Sequence, residues 1–186
     1  MNTENLISYL SSLHSISDDF QQFLAKQTQE YSFKKGQPLK DTLRSSSVWY
    51  VEKGMLKASY FDQDGKERVT RFWHEDEIIL IESNAYKGIP SADYLIMLEN
   101  TTLLSLPDNN IGYALRHFRE AQTLKSIIFQ MDRDKSEVLA HLLHLPLNQA
   151  YEKFETIFPV NRIPVQDVAH YLGTSPKRIS EIRGRK

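Results

Sequence analysis

Between Tyr31 and Leu106 the hydrophobic pattern leaves the helical period and breaks into short alternating runs. Seven segments read as strands: Tyr31 to Phe33, Val48 to Val51, Met55 to Phe61, Val69 to Trp73, Ile78 to Ile81, Tyr94 to Leu98, and Thr101 to Leu106. Turn residues separate them, at Lys35-Gly36-Gln37-Pro38, at Lys53-Gly54, and at Asp62-Gln63-Asp64-Gly65-Lys66, where Gly65 can take the positive φ of a hairpin. Short strands at this spacing predict an antiparallel sandwich or jelly roll. Flanked by helical sequence on both sides, they make the chain an α+β protein.

Residues 3–30 have helical spacing through Leu6, Tyr9, Leu10, Leu13, Phe20, Phe23 and Leu24, with Ser17-Asp18-Asp19 as a cap between two short helices. The longest helical stretch runs from 110 to 145. Within it Ala121, Leu124, Ile128, Met131, Lys135, Val138, Leu142 and Leu145 step by alternating threes and fours, an a/d row with one polar member. A second apolar set, Phe118, Ile127, Leu139 and Leu143, is placed to pack on the chain's own sheet. Two apolar stripes on a helix between domains predict one intrachain face and one dimer seam. The seam is assigned to Leu124, Ile128, Met131, Val138 and Leu142. Pro146 breaks the helix, and a shorter one follows over 148–158.

The 186 residues include no Cys, which rules out disulfides, Cys-ligated iron–sulfur clusters and Cys-thiolate haem. The N-terminus lacks the basic start and apolar run of a signal peptide, and no run of about 18 apolar residues is present. A soluble, cytoplasmic protein without a membrane partner is expected. The net charge of −1 hides an asymmetry. Residues 1–115 carry 11 Lys and Arg against 16 Asp and Glu, whereas residues 161–186 carry 6 against 2. A basic end on an acidic body points to a polyanion at that end.

The basic end has a defined pattern. Pro164 suits the start of a helix, on which Val168, Ala169 and Leu172 face inward. Gly173 can end that helix in the left-handed conformation. Ser175 caps the next helix and Pro176 opens it, with Ile179 and Ile182 inward. Lys177, Arg178, Ser180, Glu181 and Arg183 then point outward. A two-helix unit whose second helix shows a polar, basic face is what a major-groove reader needs. Lys177, Arg178 and Glu181 are assigned to base edges. Ser175, Arg183, Arg185 and Lys186 are assigned to phosphates, with Pro176 and Ser180 on the same surface.

This segment resembles the helix-turn-helix of the CRP/FNR regulators, and the resemblance runs through most of the chain. FKKGQPL resembles the first sensor strand and turn of that family. WYVEKGMLKASYFDQDGKERVTRFW resembles its glycine-punctuated hairpins, and YLIMLENTTLLSLP the strand leading to its dimer helix. The resemblance implies an N-terminal antiparallel β-roll of the cyclic-nucleotide-binding kind over 1–115. A dimerisation helix over 116–145 and a helix-turn-helix domain over 146–186 would follow. The partners it implies are double-stranded DNA, a second copy of the chain and RNA polymerase. Only Gly184-Arg185-Lys186 follows the second helix in this sequence, so a full β-wing is not expected. Glu181 stands where several members use an arginine to read guanine; it either accepts from cytosine N4 or removes one guanine contact.

The family's phosphate cassette is altered. Glu82 matches the glutamate that holds the ribose and Pro90 the proline, but Ser91 replaces the arginine and Ile81 the glycine. A cyclic phosphate needs a positive partner and free N–H groups, so cAMP and cGMP are not expected as effectors. Arg71 or Lys87 would have to supply the missing charge. Lys135 and Ser136 fall near the stretch of helix that reaches the sensor pocket in ligand-responsive members. The candidate effector pocket is therefore Arg71, Glu82, Ser91, Lys135 and Ser136. For Lys135 two readings stand: contact with an anionic effector or a sensor carboxylate across the dimer, or a polar a-position that fixes register. His141 and His144 lie three apart without a third ligand, and nothing favours haem at His74, so no metal or other cofactor is assigned. No nucleophile–base motif is visible and no enzyme activity is expected. The alternative function is a ligand-binding β-roll whose C-terminal helices contact a protein.

Overall fold

The computed structural model describes residues 3–39, 47–79 and 94–185. Among the described residues two helices, α1 (Glu4–Leu13) and α2 (Asp18–Gln27), precede seven strands. As expected, Ser17 separates the helices, its Oγ accepting from Phe20 N at 3.3 Å. The strands are β1 (Gln29–Phe33), β2 (Ser47–Lys53), β3 (Leu56–Phe61), β4 (Glu67–Trp73), β5 (Ile78–Ile79), β6 (Tyr94–Met97) and β7 (Thr101–Pro107). Five helices follow: α3 (Asp108–His117), α4 (Arg119–Leu143), α5 (Leu147–Ile157), α6 (Val165–Tyr171) and α7 (Pro176–Arg183). The expected α+β architecture is present.

The strands form two antiparallel sheets, one ordered β1-β7-β2-β5 and the other β4-β3-β6. Alternation along each strand sends side chains to opposite faces. Trp49, Val51, Leu56, Ala58, Trp73 and Leu103 point between the sheets and fill the sandwich. Tyr50 and Leu104 leave the four-stranded sheet on its outer side, where they meet Leu6, Leu10, Phe20, Leu24, Ala114, Ala121 and Leu124. Phe72 leaves the three-stranded sheet on its outer side and meets Phe154, Phe158 and Tyr171 of the C-terminal helices, with ring centroids 6.0, 5.5 and 5.2 Å away. The tight link from β2 to β3 depends on Gly54. Its φ is +100°, and a Cβ there would lie 2.7 Å from the Thr101 backbone.

The helix expected over 110–145 is two helices. Phe118 is extended, with φ −122° and ψ 116°, and separates α3 from α4. Its ring packs 4.9 Å from Phe20 and 5.3 Å from Phe23. The bend thus seats an aromatic ring against α2 that a continuous helix would place elsewhere. No helix among the described residues is long and apolar enough to cross a membrane.

Candidate nucleic-acid interface

The two-helix unit forms from local signals. Helix α6 starts one residue later than the sequence suggested, with Pro164 as its N-cap; boundaries of this kind shift by a residue or two. Gly173, at φ +63°, turns the chain, and Thr174 N donates back to Ala169 O at 2.9 Å. Ser175 Oγ accepts from Arg178 N at 3.4 Å and Pro176 occupies the first turn of α7. Val168, Ala169 and Ile179 are fully buried and Ile182 is half-buried, so the inner faces of both helices are as the sequence indicated.

On the outer face of α7, Pro176, Lys177, Arg178, Ser180 and Glu181 are exposed, as is Ser175 ahead of the helix. Among the described residues no ion pair or hydrogen bond engages the side chains of Lys177 and Arg178. Arg185 is exposed just past the helix, and Lys186 lies outside the described residues. Arg183 departs from its assignment. It is half-buried; its Nε donates to Tyr151 Oη at 2.8 Å and its Nη2 to Val160 O at 3.2 Å. Its guanidinium also lies 5.9 Å from the Tyr151 ring centroid. Arg183 therefore braces α7 against α5, and a phosphate would compete with those bonds.

How the unit is held was not legible in the sequence. Lys57, on the outer side of β3, lies 2.5 Å from Asp167 of α6 and 2.7 Å from Glu67 of β4. Both Lys57 and Asp167 are buried. His170 Nδ1 lies 3.3 Å from Glu67 Oε2 without making a hydrogen bond to it. Burial pushes the Glu67 carboxyl up, but the Lys57 ammonium outweighs it and holds the group below its usual range. Glu67, Asp167 and His170 bring their ligating atoms within 4.8 Å of one another, a spacing that could hold a metal ion. Lys57 bridges the two carboxylates and supplies the positive charge that an ion would bring. A second tie runs from Arg162, which forms a bidentate pair with Glu75 at 2.8 and 2.9 Å and a short bond to Glu99. Burial raises the Glu75 carboxyl, yet Arg162 and the Gly54 N–H bring it down to about 2.

Part of the expected effector pocket is brought together. Arg71 Nη2 donates to Ser136 Oγ at 2.9 Å and pairs with Asp132 at 3.0 Å. Lys135 Nζ lies 2.6 Å from Glu77 Oε1. Lys135 thus meets a carboxylate of the strand region, just ahead of β5, within its own chain. An anionic effector would have to displace these internal partners. Glu82 and Ser91, with Ile81, Lys87 and Pro90, lie outside the described residues. His141 Nε2 lies 3.1 Å from Lys153 Nζ.

The seam residues divide. Leu124 and Leu142 are covered within the protomer, Leu124 under α1 and α2 and Leu142 against the C-terminal helices. Ile128 and Val138 are half-buried and Met131 is exposed. Leu143, expected to pack on the sheet, is instead 51% exposed.

The sandwich, the long helix and the terminal helix pair together make the fold of CRP/FNR-type regulators. A chain assigned to the crp/fnr family of transcriptional regulators from Eubacterium rectale is 12% identical, over 96% of this chain and 87% of its own, with a TM-score of 0.71. FixK2 from Bradyrhizobium japonicum is 14% identical, over 85% and 83%, at 0.69. A CooA variant from Carboxydothermus hydrogenoformans is 13% identical, over 100% and 84%, also at 0.69. At such identities the likeness is one of fold. No family model matches the sequence, and no curated protein sequence does.

Proposed function

We propose that the chain is a homodimeric, sequence-specific DNA-binding regulator acting in the cytoplasm, with α7 as the helix that enters the major groove. One observation carries this reading: Lys177 and Arg178 stand exposed and, among the described residues, unengaged on a helix whose other face is locked into the core. Side chains so placed meet base edges, and the N-terminus of α7 adds N–H groups for a phosphate. Glu181 beside them selects against guanine at one position or accepts from cytosine. In the dimer two α7 helices lie about 34 Å apart, reading half-sites one helical turn apart. Met131, with Ile128 and Val138 beside it, supplies the apolar row along α4 on which two copies meet. RNA polymerase is the further partner of this reading.

Through Lys57 and Arg162 the β-roll fixes where α6 and α7 sit, so its state sets the spacing of the reading heads. Cyclic nucleotides are not the signal in this reading, because Ser91 replaces the phosphate-pairing arginine; calorimetry with cAMP and cGMP should give no heat of binding at micromolar concentrations. The central test is selection of duplexes from a random pool, followed by titration of the enriched duplex. The Lys177→Ala, Arg178→Ala double variant should lose about 1–3 kcal/mol of affinity per base contact removed and show a shallower salt dependence. Equal binding by parent and double variant overturns the assignment, and no enrichment of any duplex removes DNA as the partner.

A further inference from the structure

The turn between β4 and β5 carries three successive carboxylates, Glu75, Asp76 and Glu77. Such a run is ordinarily a hydrated surface. Here each carboxylate is taken by a different element. Glu75 holds Arg162, just ahead of α6, at 2.8 and 2.9 Å, and its Oε1 also accepts from Gly54 N at 2.8 Å. Asp76 Oδ1 accepts from the hydroxyl of Tyr50, a buried residue of β2, at 2.6 Å. Glu77 Oε1 lies 2.6 Å from Lys135 Nζ on α4, and its Oε2 accepts from His74 N at 2.8 Å.

The backbone of the turn is fixed as well. Asp76 N donates to Val51 O at 3.1 Å, and Val51 N donates to Glu77 O at 2.9 Å. Asp76 has a φ of +62°, the one positive value outside glycine among the described residues. Aspartate enters this left-handed region more easily than most residues, but it persists there only where its surroundings hold it. Tyr50 and the two Val51 bonds do so, and they set the directions in which Glu75 and Glu77 leave the turn.

The partners at the two ends belong to different parts of the molecule. Lys135 shares a face of α4 with Asp132 and Ser136, which Arg71 of β4 binds at 3.0 and 2.9 Å. The middle of α4 is thus attached to β4 and its turn. Arg162 leads into α6, and Lys57 joins Asp167 of α6 to Glu67 of the same β4. The long helix and the helix-turn-helix unit therefore share one strand and its turn as their support.

We propose that the Glu75–Glu77 turn is a coupling device: it passes a displacement of the middle of α4 to α6 and α7, from Lys135 through Glu77, the fixed Asp76 and Glu75 to Arg162. This deepens the DNA-binding reading by naming how the spacing of the reading heads is set. It rests on that reading for its consequence, whereas the coupling itself is measured without DNA. Coupling of this kind is reciprocal, so release at either end should be felt at the other.

The test compares the full chain and its variants by amide hydrogen exchange with mass spectrometry at neutral pH. Lys135→Met frees α4 from the turn and keeps an apolar stem. Exchange over residues 165–183 should rise by about fivefold or more, with β3 and β7 exchanging as in the parent. Arg162→Met should speed exchange over 131–139 in return. Adding Lys135→Met to Arg162→Met should raise exchange over 165–183 no further, because the link is already cut. Tyr50→Phe frees Asp76 while keeping a ring in the core, and should speed exchange over both segments. Should Arg162→Met fail to fold, Tyr50→Phe serves as the background for Lys135→Met, again with no further rise. The proposal is overturned by unchanged exchange over 165–183 in Lys135→Met or in Tyr50→Phe. It is overturned equally by a matching rise in β3 and β7, or by effects of the Lys135 and Arg162 changes that multiply. Titration with duplex is a separate arm: a parent that binds none removes the DNA-binding reading, and the exchange result still decides the coupling.

Discussion

The helix-turn-helix unit carries charge on two sides, and the two sides are treated in opposite ways. Toward the β-roll, Asp167 is buried on Lys57, and Arg162 just before α6 is locked to Glu75 and Glu99. Toward solvent, Lys177 and Arg178 stand exposed without a partner among the described residues. Charges that are desolvated and paired hold position; charges that stay hydrated remain available to a polyanion. The inner set orients the unit, and the outer set is what the unit presents.

If that division is right, the largest effect of any single charge removal lies on the inner side. Lys57→Met leaves buried Asp167 and half-buried Glu67 near each other without the ammonium between them. Breaking a buried pair in this way costs about 3–5 kcal/mol, readable as a lower midpoint in urea unfolding. Asp167→Ala should cost less, because Lys57 keeps Glu67 at 2.7 Å. A Lys57→Met protein as stable as the parent would break the comparison at its root.

Acid sharpens the same point. The Glu75 carboxyl is brought from 4.5 to about 2 in the folded chain. A depressed carboxylate contributes stability that is present above its unfolded value and is lost as pH falls toward its folded one. Stability should therefore decline between about pH 4.5 and pH 2 in the parent, in part through Glu75. In Glu75→Gln that part of the decline should disappear and stability at neutral pH should be lower; acid titrations of both proteins followed by circular dichroism check this.

These contrasts also mark what the sequence made legible. The outer face could be read because a cap, a left-handed glycine and inward residues three or four apart are local signals, and Ser175, Gly173 and Ile179 act over a single turn. The β-roll was legible for a similar reason: alternation and turn residues fix which face each strand buries. The inner ties were not legible. Lys57 and Asp167 are 110 residues apart, and a lysine at an alternating position of a strand reads as a solvent-facing residue. The break at Phe118 was hidden because the helical spacing continues through it; packing on Phe20 and Phe23 decides it. The a/d row from Leu124 to Leu142 was real as a pattern, but tertiary packing covers both its ends within the protomer. Two of the five effector residues, Glu82 and Ser91, lie outside the described residues.

Arg183 tests the boundary between the two sides, since the sequence placed it with the outer set and the structure bonds it inward. Arg183→Ala removes two hydrogen bonds and a ring contact and should lower stability by about 1–2 kcal/mol. A residue that only touches phosphate would leave stability unchanged. Arg183→Lys can keep one bond but not the two-point brace, so it should fall between the parent and the alanine variant in thermal unfolding.

The smallest expected change in stability comes from the outer face itself. Lys177 and Arg178 are exposed, and among the described residues no ion pair or hydrogen bond holds their side chains. Replacing both with Ala should leave stability within about 0.5 kcal/mol, because surface changes away from caps and pairs rarely do more. Ala is also a good helix former, which offsets the loss of two long side chains from α7. The same double variant is the one expected to lose DNA affinity. The two readouts together separate a presented surface from a structural one: unfolding by urea should not distinguish it from the parent, while titration with duplex should. If the double variant were destabilised as strongly as Lys57→Met, its cations would belong to the fold, and any loss of DNA binding would follow from unfolding instead of lost contact.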